Sequence, residues 1–234
     1  MSYLEPARVR CACGTELDVM AADSLHVTNL PEVRDQILRG ELHVFRCPAC
    51  GARVQLDKLL AYTDFDRWHW FTVFPEAALD TWQEAVQLAE QSFASTLEER
   101  SAPIVKTWSP KFRTGMRAVF GMQALREKLM IADAGLDDRT IEALKLQLLE
   151  WYELPYAPGA HLWFSRIEDD QLVFAWATAA GPGAAPPVLV AVPFTAYQRL
   201  AIDRDTARAL APVLADSIAV DFRIARPTAA AASA

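Results

Sequence analysis

The chain has 234 residues, 52% hydrophobic and 23% charged, with only 9 glycines, enough to bury a core as one large domain or two modest ones. That composition excludes a mostly disordered polymer, a collagen and a disulfide-dense miniprotein. A net charge of −7 argues against a whole-surface attraction to nucleic acid or anionic membrane.

No stretch approaches the roughly 20 apolar residues of a membrane span. Residues 1–10 lack the apolar core of a signal peptide, so a cytoplasmic protein without a membrane partner is expected.

Residues 5–10 read as a short strand that feeds Cys11-Ala12-Cys13-Gly14. A second pair, Cys47-Pro48-Ala49-Cys50-Gly51, follows Cys13 after 33 intervening residues, and the chain has no other cysteine. Tetrahedral zinc takes four soft ligands, and two thiolates on each of two tight turns supply them. A glycine follows the second cysteine of each pair, where a residue without Cβ lets the backbone turn and aim its amides at sulfur. Pro48 fixes φ inside the second turn. Cys11, Cys13, Cys47 and Cys50 are therefore the expected ligands of one structural Zn2+.

Two disulfides are the first alternative, and they do not suit a reducing compartment. A redox Cys-x-x-Cys at Cys47 and Cys50 is the second, and it leaves Cys11 and Cys13 without a role. The single residue between Cys11 and Cys13 is tighter than the usual two-to-four-residue gap, so His26 or His43 is a substitute ligand. His43, four residues before Cys47 in an expected strand, reads better as a pleat-surface side chain.

Asn29 as N-cap, Pro31 in the first turn and Gly40 just past the end predict a short helix over residues 31–39. Residues 41–46 alternate toward the second cysteine pair, with Leu42 and Phe45 packed. Residues 53–56 and 68–74 read as further strands. Residues 1–75 thus make an antiparallel ribbon with a helical insert.

From Pro75 the period changes. Leu79, Trp82, Val86, Ala89, Phe93 and Leu97 recur at helical spacing and predict an amphipathic helix ending near Arg100. Residues 76–105 carry six carboxylates and one arginine, whereas residues 106–128 carry Lys106, Lys111, Arg113, Arg117, Arg126 and Lys128 against Glu127 alone. Cations interleaved with Trp108, Phe112 and Phe120 suit a nucleic-acid strand. Pairing with the neighbouring acidic helix is the favoured reading.

Residues 123–134 and 137–153 predict a helical hairpin broken at Gly135, with Asp137 and Asp138 at a helix N-terminus and Leu144, Leu148, Trp151 and Tyr152 as a core stripe. Pro155, Pro158 and Gly159 mark a boundary. Beyond it, residues 161–167 and 171–178 form an expected hairpin, and residues 188–194 a further strand. Thr195 caps a helical stretch to Leu214, and residues 219–224 return as a last strand. Gly181 and Gly183 lack the Lys and Ser/Thr of a phosphate loop.

The second cysteine motif, within the run Leu38-Arg39-Gly40-Glu41-Leu42-His43-Val44-Phe45-Arg46-Cys47-Pro48-Ala49-Cys50-Gly51 and followed by Leu60-Ala61-Tyr62-Thr63-Asp64, resembles the bacterial CpXC family. Residues 120–150, containing Leu136-Asp137-Asp138-Arg139-Thr140-Ile141-Glu142, are similar to the helical region of its longer members. The first stretch lies within residues 29–75, and with residues 120–150 the resemblance spans about a third of the chain. Cys11-Ala12-Cys13 departs from the motif that names the family. The resemblance implies a zinc-ribbon-like module and supplies no activity.

The fold expected is α+β: a zinc-ribbon-like antiparallel β module over 1–75, a helical region over 76–155, an α+β unit over 156–226 and a disordered tail over 227–234. No serine elbow or His-Glu-x-x-His run exists. His69, between Trp68 and Trp70, reads as a packed, hydrogen-bonded core residue, and four thiolates leave zinc no open position for water. The leading expectation is a non-catalytic adaptor with a protein partner. Nucleic-acid binding through residues 106–128 comes second, and an enzyme with its site in the C-terminal unit third.

Overall fold

A computed structural model describes residues 3–154, 160–177 and 186–225. The boundary residues Pro155, Pro158 and Gly159, the loop holding Gly181 and Gly183, and the tail over 227–234 lie outside the described residues. The chain forms two compact units, Met1–Arg126 and Glu127–Ala234, and its content is mixed helix and sheet, an α+β fold.

The first unit is built on a five-stranded sheet. Strands β1 (Tyr3–Arg10) and β2 (Glu16–His26) form an antiparallel hairpin. A 3₁₀ turn at Val27–Asn29 leads into helix α1 (Pro31–Arg39), followed by a separate two-stranded hairpin of β3 (Val44–Arg46) and β4 (Arg53–Gln55). Strands β5 (Leu60–Asp64) and β6 (His69–Phe74) complete a second antiparallel ladder. A second helical stretch comprises a 3₁₀ turn at Glu76–Thr81, α2 (Trp82–Phe93), a π-helical turn at Ala94–Glu99, α3 (Pro103–Lys106) and α4 (Ser109–Thr114). It returns the chain to β7 (Met116–Phe120).

The sheet order is β1-β2-β5-β6-β7. The pairs β2·β5 and β6·β7 run parallel, because the long helical crossovers over 27–59 and 75–115 return each strand in the direction of its predecessor.

Helix α1 spans the predicted residues, and Gly40 ends it with a left-handed φ of 66°. Its start differs from expectation. Leu30, not Asn29, is the cap residue and makes no side-chain cap bond, since Asn29 is taken up by the 3₁₀ turn. The amphipathic stripe of α2 buries Ala85, Ala89 and Phe93, with Leu97 beyond it. Trp70 meets Phe93 of α2 at 5.4 Å and Phe112 of α4 at 6.2 Å between ring centroids. On the opposite face Tyr62 stacks on Phe71 at 5.5 Å. Strand β6 is thus packed on both faces, which explains its near-continuous run of buried residues.

The second unit sets helices against one face of a three-stranded antiparallel sheet. Helix α5 (Met122–Asp133) enters it, and α6 (Asp138–Trp151) completes the predicted hairpin. Strands β8 (His161–Glu168), β9 (Gln171–Ala177) and β10 (Val188–Pro193) pair in the order β10-β9-β8. The core joins Ile141, Leu144 and Leu148 of α6 to Leu162, Phe164, Leu172, Phe174 and Trp176 of the sheet. Trp151 and Tyr152 continue the helical stripe in sequence but are 56% and 47% exposed.

Two expectations for the last segment are corrected. The predicted helix capped by Thr195 is three helices, α7 (Phe194–Ile202), α8 (Arg204–Leu210) and α9 (Pro212–Ala215), and α7 begins one residue before Thr195. The chain breaks at Asp203, whose carboxylate accepts from the Thr206 amide at 3.0 Å, and at Ala211, which precedes a proline and is steered out of the α region. The predicted strand over 219–224 is a 3₁₀ turn at Phe222–Ala225. There the Phe222 amide donates to Glu142 Oε2 at 3.0 Å, so the segment docks on α6 instead of on a strand edge.

Candidate metal centre

The four cysteines sit at the tips of two hairpins. Residues 11–15 turn β1 into β2, where the Cys11 amide donates to Thr15 O and the Gly14 amide to Cys11 O, both at 2.8 Å. Residues 47–52 turn β3 into β4, where the Cys47 amide donates to Ala52 O and the Gly51 amide to Cys47 O, again at 2.8 Å. The two tips are one design with and without one residue. Gly14 and Gly51 hold φ values of 92° and 73°, in the left-handed region that suits glycine. Removing one residue between the cysteines shortens the turn and leaves its closing bonds intact. The tight Cys11-Ala12-Cys13 spacing is therefore accommodated by the hairpin.

The sulfurs converge. Cys11 Sγ lies 3.6 Å from Cys50 Sγ, and Cys13 Sγ lies 3.6 Å from Cys47 Sγ. All four lie within 4.8 Å of one another and form a group that could hold a metal ion. Zinc–sulfur bonds of about 2.3 Å in a tetrahedron set sulfurs about 3.8 Å apart, so the observed spacing fits such an ion. A disulfide would need about 2.05 Å, and all four cysteines are free thiols.

Cys11 and Cys47 are buried beside Leu17, with Val9, Val19, Phe45 and Val54 packed around them, whereas Cys13 and Cys50 are exposed. Their surroundings split the thiols. The Thr15 hydroxyl, 3.3 Å from Cys13 Sγ, and the Thr15 amide stabilise the Cys13 thiolate and draw its pKa down to about 6. The Cys13 amide pulls Cys11 the same way, but burial and hydrogen bonds shared with the neighbouring thiols outweigh it and push Cys11 up to about 12. A divalent cation would replace these shared protons.

The histidines considered as substitute ligands serve elsewhere. His43 Nε2 accepts the Ala22 amide at 2.9 Å, and His26 Nδ1 lies 2.7 Å from the Thr63 hydroxyl. His43 is not on a pleat surface. It is buried at a positive φ of 57°, ahead of β3, because its ring is drawn in to cap the β2 backbone. His69 is half-buried and stacks on Phe71 at 4.9 Å, while its Nδ1 has no hydrogen-bond partner among the described residues.

The basic segment is largely engaged within its own unit. Glu98 takes Arg113 in a two-pronged pair at 2.9 Å and the Ser109 hydroxyl at 2.7 Å, the pairing expected between the acidic and basic runs. Lys111 stands 4.4 Å over the Trp68 ring, and Lys106 donates to Glu99 O at 2.9 Å.

A second polar cluster, in the unit Glu127–Ala234, escaped the sequence reading. Lys145 Nζ meets Glu127 Oε1 at 2.7 Å and Glu142 Oε2 at 3.0 Å, and Lys128 Nζ meets Glu142 Oε1 at 2.9 Å and Asp138 Oδ2 at 3.3 Å. The Phe164 amide donates to Glu127 and the Phe222 amide to Glu142. Every side chain here except that of Asp138 is at most 8% exposed. Asp137, by contrast, caps α6 as predicted, accepting the Thr140 amide at 2.9 Å. The only available signal was an i, i+3 Glu142/Lys145 pair on a helix, and such pairs are ordinarily solvent-facing.

Among the described residues no helix is long and apolar enough to cross a membrane. No curated protein and no solved structure matches the chain. The family described as CpXC protein matches residues 9–145, a span that takes in both cysteine turns and the first part of helix α6. With more than half of its length matched around this cysteine cluster, the chain belongs to the CpXC protein family.

Proposed function

We propose that Cys11, Cys13, Cys47 and Cys50 hold one structural zinc ion and that the protein is a non-catalytic adaptor working in the cytoplasm. The observation that carries the metal reading is the closed set of four sulfurs, all within 4.8 Å. Four soft thiolates favour zinc over hard cations such as magnesium or calcium. A complete thiolate shell leaves no coordination position for water, which favours a structural over a catalytic role. The hairpin β3·β4 has three residues per strand and a small apolar cluster, so metal binding would supply much of its folding free energy. Thiols kept reduced suit the cytoplasm.

The adaptor reading draws on exposed apolar side chains of the second unit. Tyr152 donates to Ala191 O of strand β10 at 3.1 Å, and Val188 and Leu189 of that strand are 59% and 55% exposed; such surfaces mark protein contacts. A nucleic-acid role through residues 106–128 has less support, since Arg113 and Lys128 are already held in ion pairs.

Elemental analysis after zinc-supplemented expression is expected to return one zinc per chain, falling to near zero in Cys50→Ser. A zinc-free natural chain would overturn the metal reading. For the adaptor, Leu189→Glu should abolish association with a protein partner identified by cross-linking in intact cells; an unchanged cross-linking pattern would overturn it.

A further inference from the structure

Two sulfur–sulfur contacts in the cysteine cluster cross from one hairpin to the other. Exposed Cys13 stands 3.6 Å from buried Cys47, and exposed Cys50 stands 3.6 Å from buried Cys11. Both contacts join different hairpins, so neither is the pairing within a motif that the sequence suggests. Closing either to the disulfide length of about 2.05 Å asks for a shift of about 1.5 Å, within turns only five and six residues long. The pairing of Cys11 with Cys13 is disfavoured, because one intervening residue holds the two side chains on a strained short loop.

We infer that the cluster is an oxidation site at which a peroxide converts the four thiolates into the disulfides Cys11–Cys50 and Cys13–Cys47. Only the accompanying release of metal rests on the zinc reading. The exposed Cys50 thiolate attacks one oxygen of hydrogen peroxide; the O–O bond breaks, leaving a sulfenic acid and hydroxide. Cys11, a thiolate when bound to zinc and in the metal-free chain a thiol that gives its proton to the released hydroxide, attacks that sulfur; the S–S bond forms and a second hydroxide leaves. Cys13 and Cys47 repeat the sequence. In total, four thiolates lose four electrons, two peroxides become four hydroxides, and Zn2+ departs without ligands.

Access favours the first attack at Cys13 and Cys50, and a thiol poised opposite each one intercepts the sulfenic acid before further oxidation. The two bonds link positions 39 and 34 residues apart in the chain. The hairpin tips therefore stay joined in the oxidised form, whereas loss of zinc from the reduced form frees them.

The test treats zinc-loaded and metal-free full-length chain with stoichiometric hydrogen peroxide. Released zinc is read with a chromophoric chelator, and disulfides are mapped by mass spectrometry of non-reduced digests. Expected are Cys11–Cys50 and Cys13–Cys47 in both samples, stoichiometric zinc release from the loaded one, and reversal by a dithiol. Cys50→Ser should retain Cys13–Cys47 alone. A Cys47–Cys50 or Cys11–Cys13 bond as the main product, or sulfinic acids without disulfides, would overturn the inference. If the chain takes up no zinc yet forms the cross-hairpin bonds, the metal reading fails and the oxidation site stands. If zinc binds but the bonds form within motifs, the reverse holds.

Discussion

In the first unit four sulfurs meet at two hairpin tips, two of them open to solvent. In the second, two lysines and three carboxylates meet between helices and a sheet, almost without exposure. Both are dense polar clusters, and they satisfy themselves by opposite means. The thiols have each other, the Thr15 hydroxyl and a few backbone amides; the Thr15 hydrogen bonds draw Cys13 down, while burial and the neighbouring thiols push Cys11 up. The charged cluster is complete, since each ammonium meets two carboxylates, and the Glu127 Oε1 and Glu142 Oε2 atoms that meet Lys145 also take amides, from Phe164 and Phe222. An incomplete donor set invites an external cation, and a complete one serves as internal architecture.

The largest effect that separates the two clusters is expected from Cys47→Ser. Structural zinc sites contribute on the order of 10–16 kcal/mol of apparent binding free energy, and losing one buried ligand forfeits most of it. Hydrogen exchange should show β3, β4 and both tips unprotected while the second unit is unchanged. Uniform loss of protection in both units would break the distinction.

Lys145→Met should be next, at roughly 3–5 kcal/mol of unfolding free energy, because it leaves Glu127 and Glu142 buried without their shared cation. Urea unfolding reads it, and chelators should not alter the result. A cost below about 1 kcal/mol would mean that the network relaxes as a surface pair does.

Acid should sharpen the contrast further. Burial pushes the Asp221 carboxyl up, but the Arg223 guanidinium at 2.7 Å outweighs it and holds the group well below the usual carboxylate range. A carboxylate depressed by folding stabilises the fold above its unfolded pKa, and that stability is lost as pH falls. Burial raises Glu127, despite Lys145, so Glu127 contributes with the opposite sign and tempers the acid limb. Asp221→Asn should flatten the fall in stability below about pH 4. An unchanged slope would remove Asp221 from the linkage.

The smallest effect belongs to Gly51→Ala. No atom lies within 4 Å of the added Cβ, so the cost is conformational alone, about 1 kcal/mol at a φ of 73°. A drop of a few degrees in melting temperature, with metal content retained, is expected. Loss of metal would show that the turn itself positions the thiols.

What the sequence determined by itself was local. Cysteine pairs followed by glycine marked the turns, Pro31 and Gly40 bounded α1, and helical spacing from Trp82 to Leu97 marked the covering helix, because each depends on a few neighbouring residues and their backbone preferences. The hairpin of β8 and β9 was legible for the same reason. Only the tertiary structure decided the pairs that join distant segments. These include the parallel registers β2·β5 and β6·β7, the seat of His43 under β2, and the diversion of residues 219–224 from a strand to a turn docked on Glu142. The facing of Cys11 with Cys50 and Cys13 with Cys47 belongs with them. So does the burial of Lys128, Glu142 and Lys145, whose composition alone reads as a solvated helix surface. A charge is placed in the core or in water by what the rest of the chain brings against it, and that is information no local window of residues holds.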